Sequence, residues 1–280
     1  MSKNTFSLGL TLTLIFAVLI APVALAKPTV SAASKPTTTL IGMDISYPQC
    51  NVSVPTGQAF AIVGVTGGLA TTTNPCLANQ LMWANLSTGG TSQDKVQLYV
   101  NTGNPGLLSA AWPTTNTANN PYGVCDGSDS IACAWQYGWD RANDDVNLKF
   151  QPAAATAGIS TVAANYTWWL DVEIANSWKD PVSQFNTDSN VAVLEGMTEY
   201  FQSVGGTVGV YSTAYQWGQI VGSSVTTSSN LYTLKNWRPA GSTLKAAKQT
   251  CAVAPLTAGG AVVMTQYTTN GLDYDYSCVN

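Results

Sequence analysis

The 280-residue sequence predicts an α/β fold, an irregular TIM-like (β/α) barrel behind an export signal, on three observations. Short apolar runs recur between longer segments, as they do when strands alternate with helices. Inside those runs apolar and polar residues alternate, so that one face can meet helices while the other lines an interior. Acidic residues stand where the runs end, and in parallel barrels the C-terminal ends of the strands carry the site.

The chain opens on a secretory signal over residues 1–26. Lys3 supplies the positive start, Leu8 to Ile20 is an apolar run, and Val23-Ala24-Leu25-Ala26 gives a small-x-small cleavage pattern. That run is short for a membrane span of ~20 residues. Residues 27–39 (KPTVSAASKPTTT) show no periodicity and read as a flexible tail. The body, 40–280, is long enough for one large core. Length alone allows one or two domains, because α/β barrels use ~250 residues as one unit.

Strands are expected at 40–46, 60–66, 96–101, 167–173, 207–211, 231–236 and 261–267. Helices are expected at 75–86, 129–148, 189–203 and 213–221, with Asn74-Pro75 opening the first and Gly205-Gly206 closing the third. In the first strand Gly42, Asp44 and Ser46 share a face opposite Ile41, Met43 and Ile45. In the third, Gln97, Tyr99 and Asn101 oppose Val96, Leu98 and Val100. In the fourth, Trp169, Asp171 and Glu173 point the same way. Two segments exceed a minimal barrel: an insertion over 102–166, and an irregular connection over 238–260. Long loops on the site side of a barrel often shape a cleft.

Composition narrows the chemistry. All six cysteines lie in the exported body, which favours three disulfides. Six cysteines allow 15 pairings; sequence neighbours suggest Cys50–Cys76, Cys125–Cys133 and Cys251–Cys278. Without the signal, which holds Lys3 and no acid, the chain carries ten basic and fifteen acidic residues, net −5. That charge, with no basic run, argues against nucleic acid or an anionic membrane as partner. The absence of histidine excludes Ser-His-Asp and Cys-His hydrolases, and zinc or haem held by histidine. Chemistry falls to carboxylates, tyrosines, amides and the few lysines and arginines.

Asp171-Val172-Glu173 is the leading candidate. Carboxylates at i and i+2 of a strand have Cα atoms roughly 6.5 Å apart on one face. Like charges that close raise at least one pKa, and Trp169 adds desolvation. One acid can then donate a proton while the other steadies positive charge, the division of labour in glycoside hydrolysis. Taken alone, D-x-E also suits an exposed strand end with two solvated acids. Asp44 repeats the theme on the first strand, and Asp273 and Asp275 form another i, i+2 pair near the C-terminus.

The islands GMDISYPQ (42–49), FAIVGVTGG (60–68), WWLDVE (168–173), GVYSTAYQW (209–217), LYTLKNW (231–237) and VMTQYTTNGLDYDYS (263–277) follow the order seen in family-25 glycoside hydrolases. The chain resembles these lysozymes, N-acetylmuramidases that cut the β-1,4 bond of peptidoglycan. The resemblance implies a barrel of about five β/α units followed by three strands. It implies Glu173 as proton donor, and Asp171 as the carboxylate that stabilises developing charge or orients the substrate acetamido group. Asp44 and Asp273 correspond to the acids of the family's first and last strands. Gly64 and Gly67-Gly68 depart from a lysine and a glutamate common in the second strand, which puts the substrate in question.

Tyr99, Tyr211, Trp237 and Tyr267 fall at or near strand ends, where flat rings could stack on sugar faces; any single one could equally be core. The expectation is therefore a secreted, monomeric glycosidase acting on an extracellular polysaccharide, most simply peptidoglycan, with no metal or cofactor required. The competing expectation is a catalytically silent glycan-binding or cell-surface barrel. A cleft filled by the 102–166 insertion would favour the binder, whereas a buried Glu173 facing a cleft with Asp44 nearby would favour the enzyme.

Overall fold

In a computed structural model that describes residues 40–279, eight strands close into a barrel in chain order. The expected signal and tail lie outside the described residues. The strands are β1 (Ile41–Ile45), β2 (Ala61–Gly64), β3 (Val96–Asn101), β4 (Thr167–Asp171), β5 (Thr207–Tyr211), β6 (Lys235–Pro239), β7 (Val262–Thr269) and β8 (Leu272–Ser277). Neighbours from β1 to β7 pair in parallel, and β8 closes the ring antiparallel to both β7 and β1. The three disulfides join Cys50–Cys76, Cys125–Cys133 and Cys251–Cys278.

The helices form the outer layer: α1 (Leu77–Asn85), α2 (Ile131–Asp144), α3 (Gln151–Ala157), α4 (Gln184–Ser203), α5 (Ala214–Val221) and α6 (Leu244–Thr250). Two were not expected from the sequence: α3, and α6 between β6 and β7. Helix α4 starts at residue 184 rather than 189 because Ser183 caps it, its side chain accepting the Asn186 N–H at 3.2 Å. The polar stretch 184–188 hides that first turn from an apolar pattern. Strand β6 occupies 235–239, not 231–236, because Leu231 and Leu234 are drawn into the core outside the barrel before the strand begins.

The 102–166 segment is mostly the crossover from β3 to β4. Its α2 runs into a π-helical turn (Asp145–Phe150) and then α3. Helix α2 packs outside α4, so α4 is buried on two sides and its residues 191–194 are all core. Contact is close because both helices present glycine: a Cβ on Gly138 would lie 1.9 Å from the Val193 carbonyl, and one on Gly196 would lie 2.1 Å from the Trp135 carbonyl.

Inside the barrel, Phe60, Ile62, Trp169, Trp237 and Met264 form a separate core, with Tyr99 and Tyr211 packed against it. Large rings fit there because glycines face them. A Cβ on Gly42 would meet the Phe60 ring at 2.3 Å, and one on Gly209 would meet Trp169 at 2.3 Å. This plug floors one end of the barrel interior and leaves the C-terminal ends of the parallel strands open.

Candidate active site

A cleft of about 370 Å³ opens at that end, a size suited to a small organic ligand. Asp44, Tyr99, Asp171, Glu173, Tyr211, Trp237 and Asp273 all line it, and no residue of 102–166 does. Of the acids and aromatics singled out from the sequence, Asp275 and Tyr267 do not line it. Gln266 turns inward to donate from Nε2 to Asp44 Oδ2 at 2.9 Å. Period-two alternation therefore sends Tyr267 outward, where it stacks on Tyr274 with centroids 5.5 Å apart. Tyr267 is a packing residue of the β7–β8 hairpin. Trp237 reaches the cleft only as its floor: it is 2% exposed, with Tyr211 centred 4.5 Å away and Tyr99 at 6.4 Å, so it offers no free ring face.

The two leading acids sit differently. Asp171 ends β4 and is 6% exposed, while Glu173 lies past the strand in a turn and is half-buried. That turn is fixed by the Glu173 carbonyl, which accepts the Asn176 N–H at 3.1 Å and the Trp178 indole N–H at 2.9 Å. The Glu173 side chain accepts a long hydrogen bond from Gln216 Nε2 at 3.5 Å. On its other side Gln216 accepts the Ile174 N–H at 2.8 Å.

Asp171 is aimed by Asn101, whose Nδ2 donates to Asp171 Oδ2 at 2.5 Å. The Asn101 amide is itself oriented: its Oδ1 accepts from Thr66 Oγ1 at 2.7 Å and from the Gly68 N–H at 3.1 Å. The other oxygen of Asp171 is buried without a hydrogen-bond partner. Burial, and then the charge of Glu173, push the Asp171 carboxyl well above the usual range, while the Asn101 bond pulls the other way.

A second acidic group forms behind it. Asp44 is pushed up to about 7 by burial and then by the charge of Asp273. Its hydrogen bond from Gln266 opposes that shift, and Gln266 in turn accepts from the Tyr211 hydroxyl at 2.7 Å. Asp275, fully buried and facing Asp44 and the Trp237 indole N–H, is also raised well above its ordinary value, first by burial and then by the Asp44 charge. The elevated carboxyls are thus Asp171, Asp44 and Asp275. Sequence reasoning missed Asn101, Gln266 and Thr66 as site residues. Asp275 was legible as the inward partner of Asp273, and Asn101 shares the face of Tyr99; Thr66 and Gln266 carry no local signal. Among the described residues there is no group of three or more acidic or cysteine side chains placed to hold a metal ion.

A family model described as lysozyme-like protein 1 matches residues 150–249, which contain Asp171, Glu173, Tyr211 and Trp237. Probable GH family 25 lysozyme 4 of Dictyostelium discoideum is 36% identical over 101 residues, 33% of this chain and 45% of that protein. The chain thus spans less than half the length of this curated relative. A solved structure of the Cpl-1 endolysin complexed with a peptidoglycan analogue aligns at a TM-score of 0.46 and 14% identity, over 86% of this chain and 54% of that one. A structure of the multimodular pneumococcal cell wall endolysin from phage Cp-1 with choline aligns at 0.43 and 12%, over the same shares. The resemblance to family-25 lysozymes read from the sequence is borne out by the two sequence matches.

Proposed function

We propose that this chain, a relative of the family-25 lysozymes, is a secreted glycoside hydrolase that cleaves β-1,4 bonds of peptidoglycan by carboxylate chemistry. The observation that carries the reading is the open cleft at the C-terminal rim, with buried Asp171 beside half-buried Glu173. A pure binding surface gains nothing from burying carboxyls without counter-charges, whereas general acid catalysis needs a proton held near neutral pH. The insertion leaves the cleft unfilled, which speaks against the catalytically silent alternative.

In this reading the Asp171 carboxyl, which burial raises well above its usual range, holds the proton. The proton reaches the glycosidic oxygen through Glu173, the more accessible of the two. As the C–O bond breaks, the leaving sugar keeps the bonding electrons and gains that proton. Asp171, left ionised and aimed by Asn101, steadies the oxocarbenium-like centre or orients the acetamido group until a water molecule from the open cleft bonds to the anomeric carbon, its released proton restoring the starting state. Asp44, Asp273, Tyr99 and Tyr211 bind and orient the sugar.

Release of reducing ends from purified peptidoglycan tests this, comparing the mature protein with Glu173→Gln. Activity in the wild type that disappears in the variant supports the assignment. A folded wild type that releases nothing overturns it, as does a variant that keeps its rate.

A further inference from the structure

The mechanism above leaves unused a buried ion pair on the crossover, 102–166. Lys149 Nζ lies 2.7 Å from Asp145 Oδ1, one helical turn away within the π-helical turn, and both side chains are nearly inaccessible. The same ammonium donates to the Ala70 carbonyl at 2.7 Å. Ala70 belongs to the β2–α1 loop, the loop that also holds Thr66 and Gly68. The neighbouring turn of that loop is closed by its own atoms, Thr72 Oγ1 donating to the Leu69 carbonyl at 2.9 Å. Lys149 therefore supplies an anchor from another element.

We propose that Lys149 and Asp145 are positioning residues for Asp171: by holding the β2–α1 loop at Ala70 they fix Thr66 and Gly68 against Asn101, and hence the Asn101 amide against the Asp171 carboxylate. The links are continuous, from Asp145 to Lys149, to the Ala70 carbonyl, then through the Gly68 N–H to Asn101 Oδ1 and from Asn101 Nδ2 to Asp171 Oδ2. If packing alone were at stake, an apolar pair of similar volume would serve as well, because burying two charges is costly. Burial and the incomplete compensation by Lys149 leave Asp145 raised to about 6, with Oδ2 unpartnered. What an apolar pair could not supply is a donor for the Ala70 carbonyl. Gly68 also has φ +97°, a backbone state that glycine adopts without steric cost, so its own conformation does not pin the loop.

This inference rests on the proposed hydrolase reading for its catalytic consequence, but not for the anchoring itself. Two measurements on the whole mature chain separate them. The first is amide hydrogen exchange at residues 66–70 in Asp145→Asn/Lys149→Met, a pair without buried charge chosen to keep the fold. Gly68 should exchange at least about tenfold faster than in the wild type, with α2 and α4 unchanged. Unchanged exchange at Gly68 overturns the anchoring. The second is a double-mutant cycle with Asn101→Ala, read as kcat on peptidoglycan. The ion-pair variant alone should lose about tenfold in kcat with little change in KM, and should cause no further loss when Asn101 is already alanine. Losses that multiply would show that the pair acts by general destabilisation and overturn the proposal. A wild type without activity would instead count against the hydrolase reading, and the exchange result would still decide the anchoring.

Discussion

Replacing Asp44 by asparagine should make the protein more stable above neutral pH, although Asp44 sits in the cleft and is hydrogen-bonded. The group is raised from 3.8 to about 7, mainly by burial and then by Asp273. A carboxyl whose folded pKa is raised binds its proton more tightly when folded. Its contribution to stability is therefore complete below about pH 4, declines as pH rises, and is gone above about 7. About three pKa units at 1.36 kcal/mol each give roughly 4 kcal/mol across that window. Asparagine removes the charge but keeps the shape, and its Oδ1 can still accept from Gln266 Nε2, now 2.9 Å from Asp44 Oδ2. Its amide would also face the acidic Asp273 and Asp275. Allowing for relaxation, Asp44→Asn should gain about 2–4 kcal/mol at pH 8 and almost nothing at pH 4. Urea denaturation of both proteins at each pH, disulfides intact, measures the difference. A variant no more stable than wild type at pH 8, or a gain independent of pH, would refute the argument that burial raises this acid.

Asn101→Ala should remove the donor that favours ionised Asp171, moving that carboxyl further up and lowering kcat about tenfold to a hundredfold; the pH–rate profile should shift toward higher pH, and an unmoved profile would count against Asn101 as its orienting group. Gly138→Ala should cost about 3 kcal/mol or more, because its Cβ would sit 1.9 Å from the Val193 carbonyl and force α2 away from α4. A loss below 1 kcal/mol in urea melts would mean that this crossing is not tight. Removing Cys50–Cys76, which spans 26 residues, should cost about 3.5 kcal/mol, against about 2.5 for Cys125–Cys133, which spans 8. Equal losses from the two cysteine-to-alanine pairs would argue against loop entropy as the source.

The acids and the barrel were legible because their signals are local. Alternation in Ile41–Ile45 and Val96–Asn101 placed Asp44 and Tyr99 on the inward face, and the same rule placed Asp171. The cysteine neighbours paired as suggested because each lies within 27 residues of its partner. Reading Tyr267 as a cleft residue failed because its facing depends on the register of β7 against β8, and Gln266 had already taken the inward side. The start of β6 failed for a related reason: Leu231 and Leu234 look like strand residues but are claimed by the core outside the barrel.

By itself, then, the sequence determined which residue types could do chemistry and which strands would carry them, since side-chain chemistry and period-two alternation are properties of neighbouring residues. Only the tertiary structure decided which acids lose their water, that Asn101 and Thr66 aim Asp171, and that a lysine 48 residues beyond Asn101 holds their loop at Ala70. Burial and hydrogen-bond partnership between distant segments depend on how the whole ring of strands closes, and no stretch of neighbouring residues contains that information.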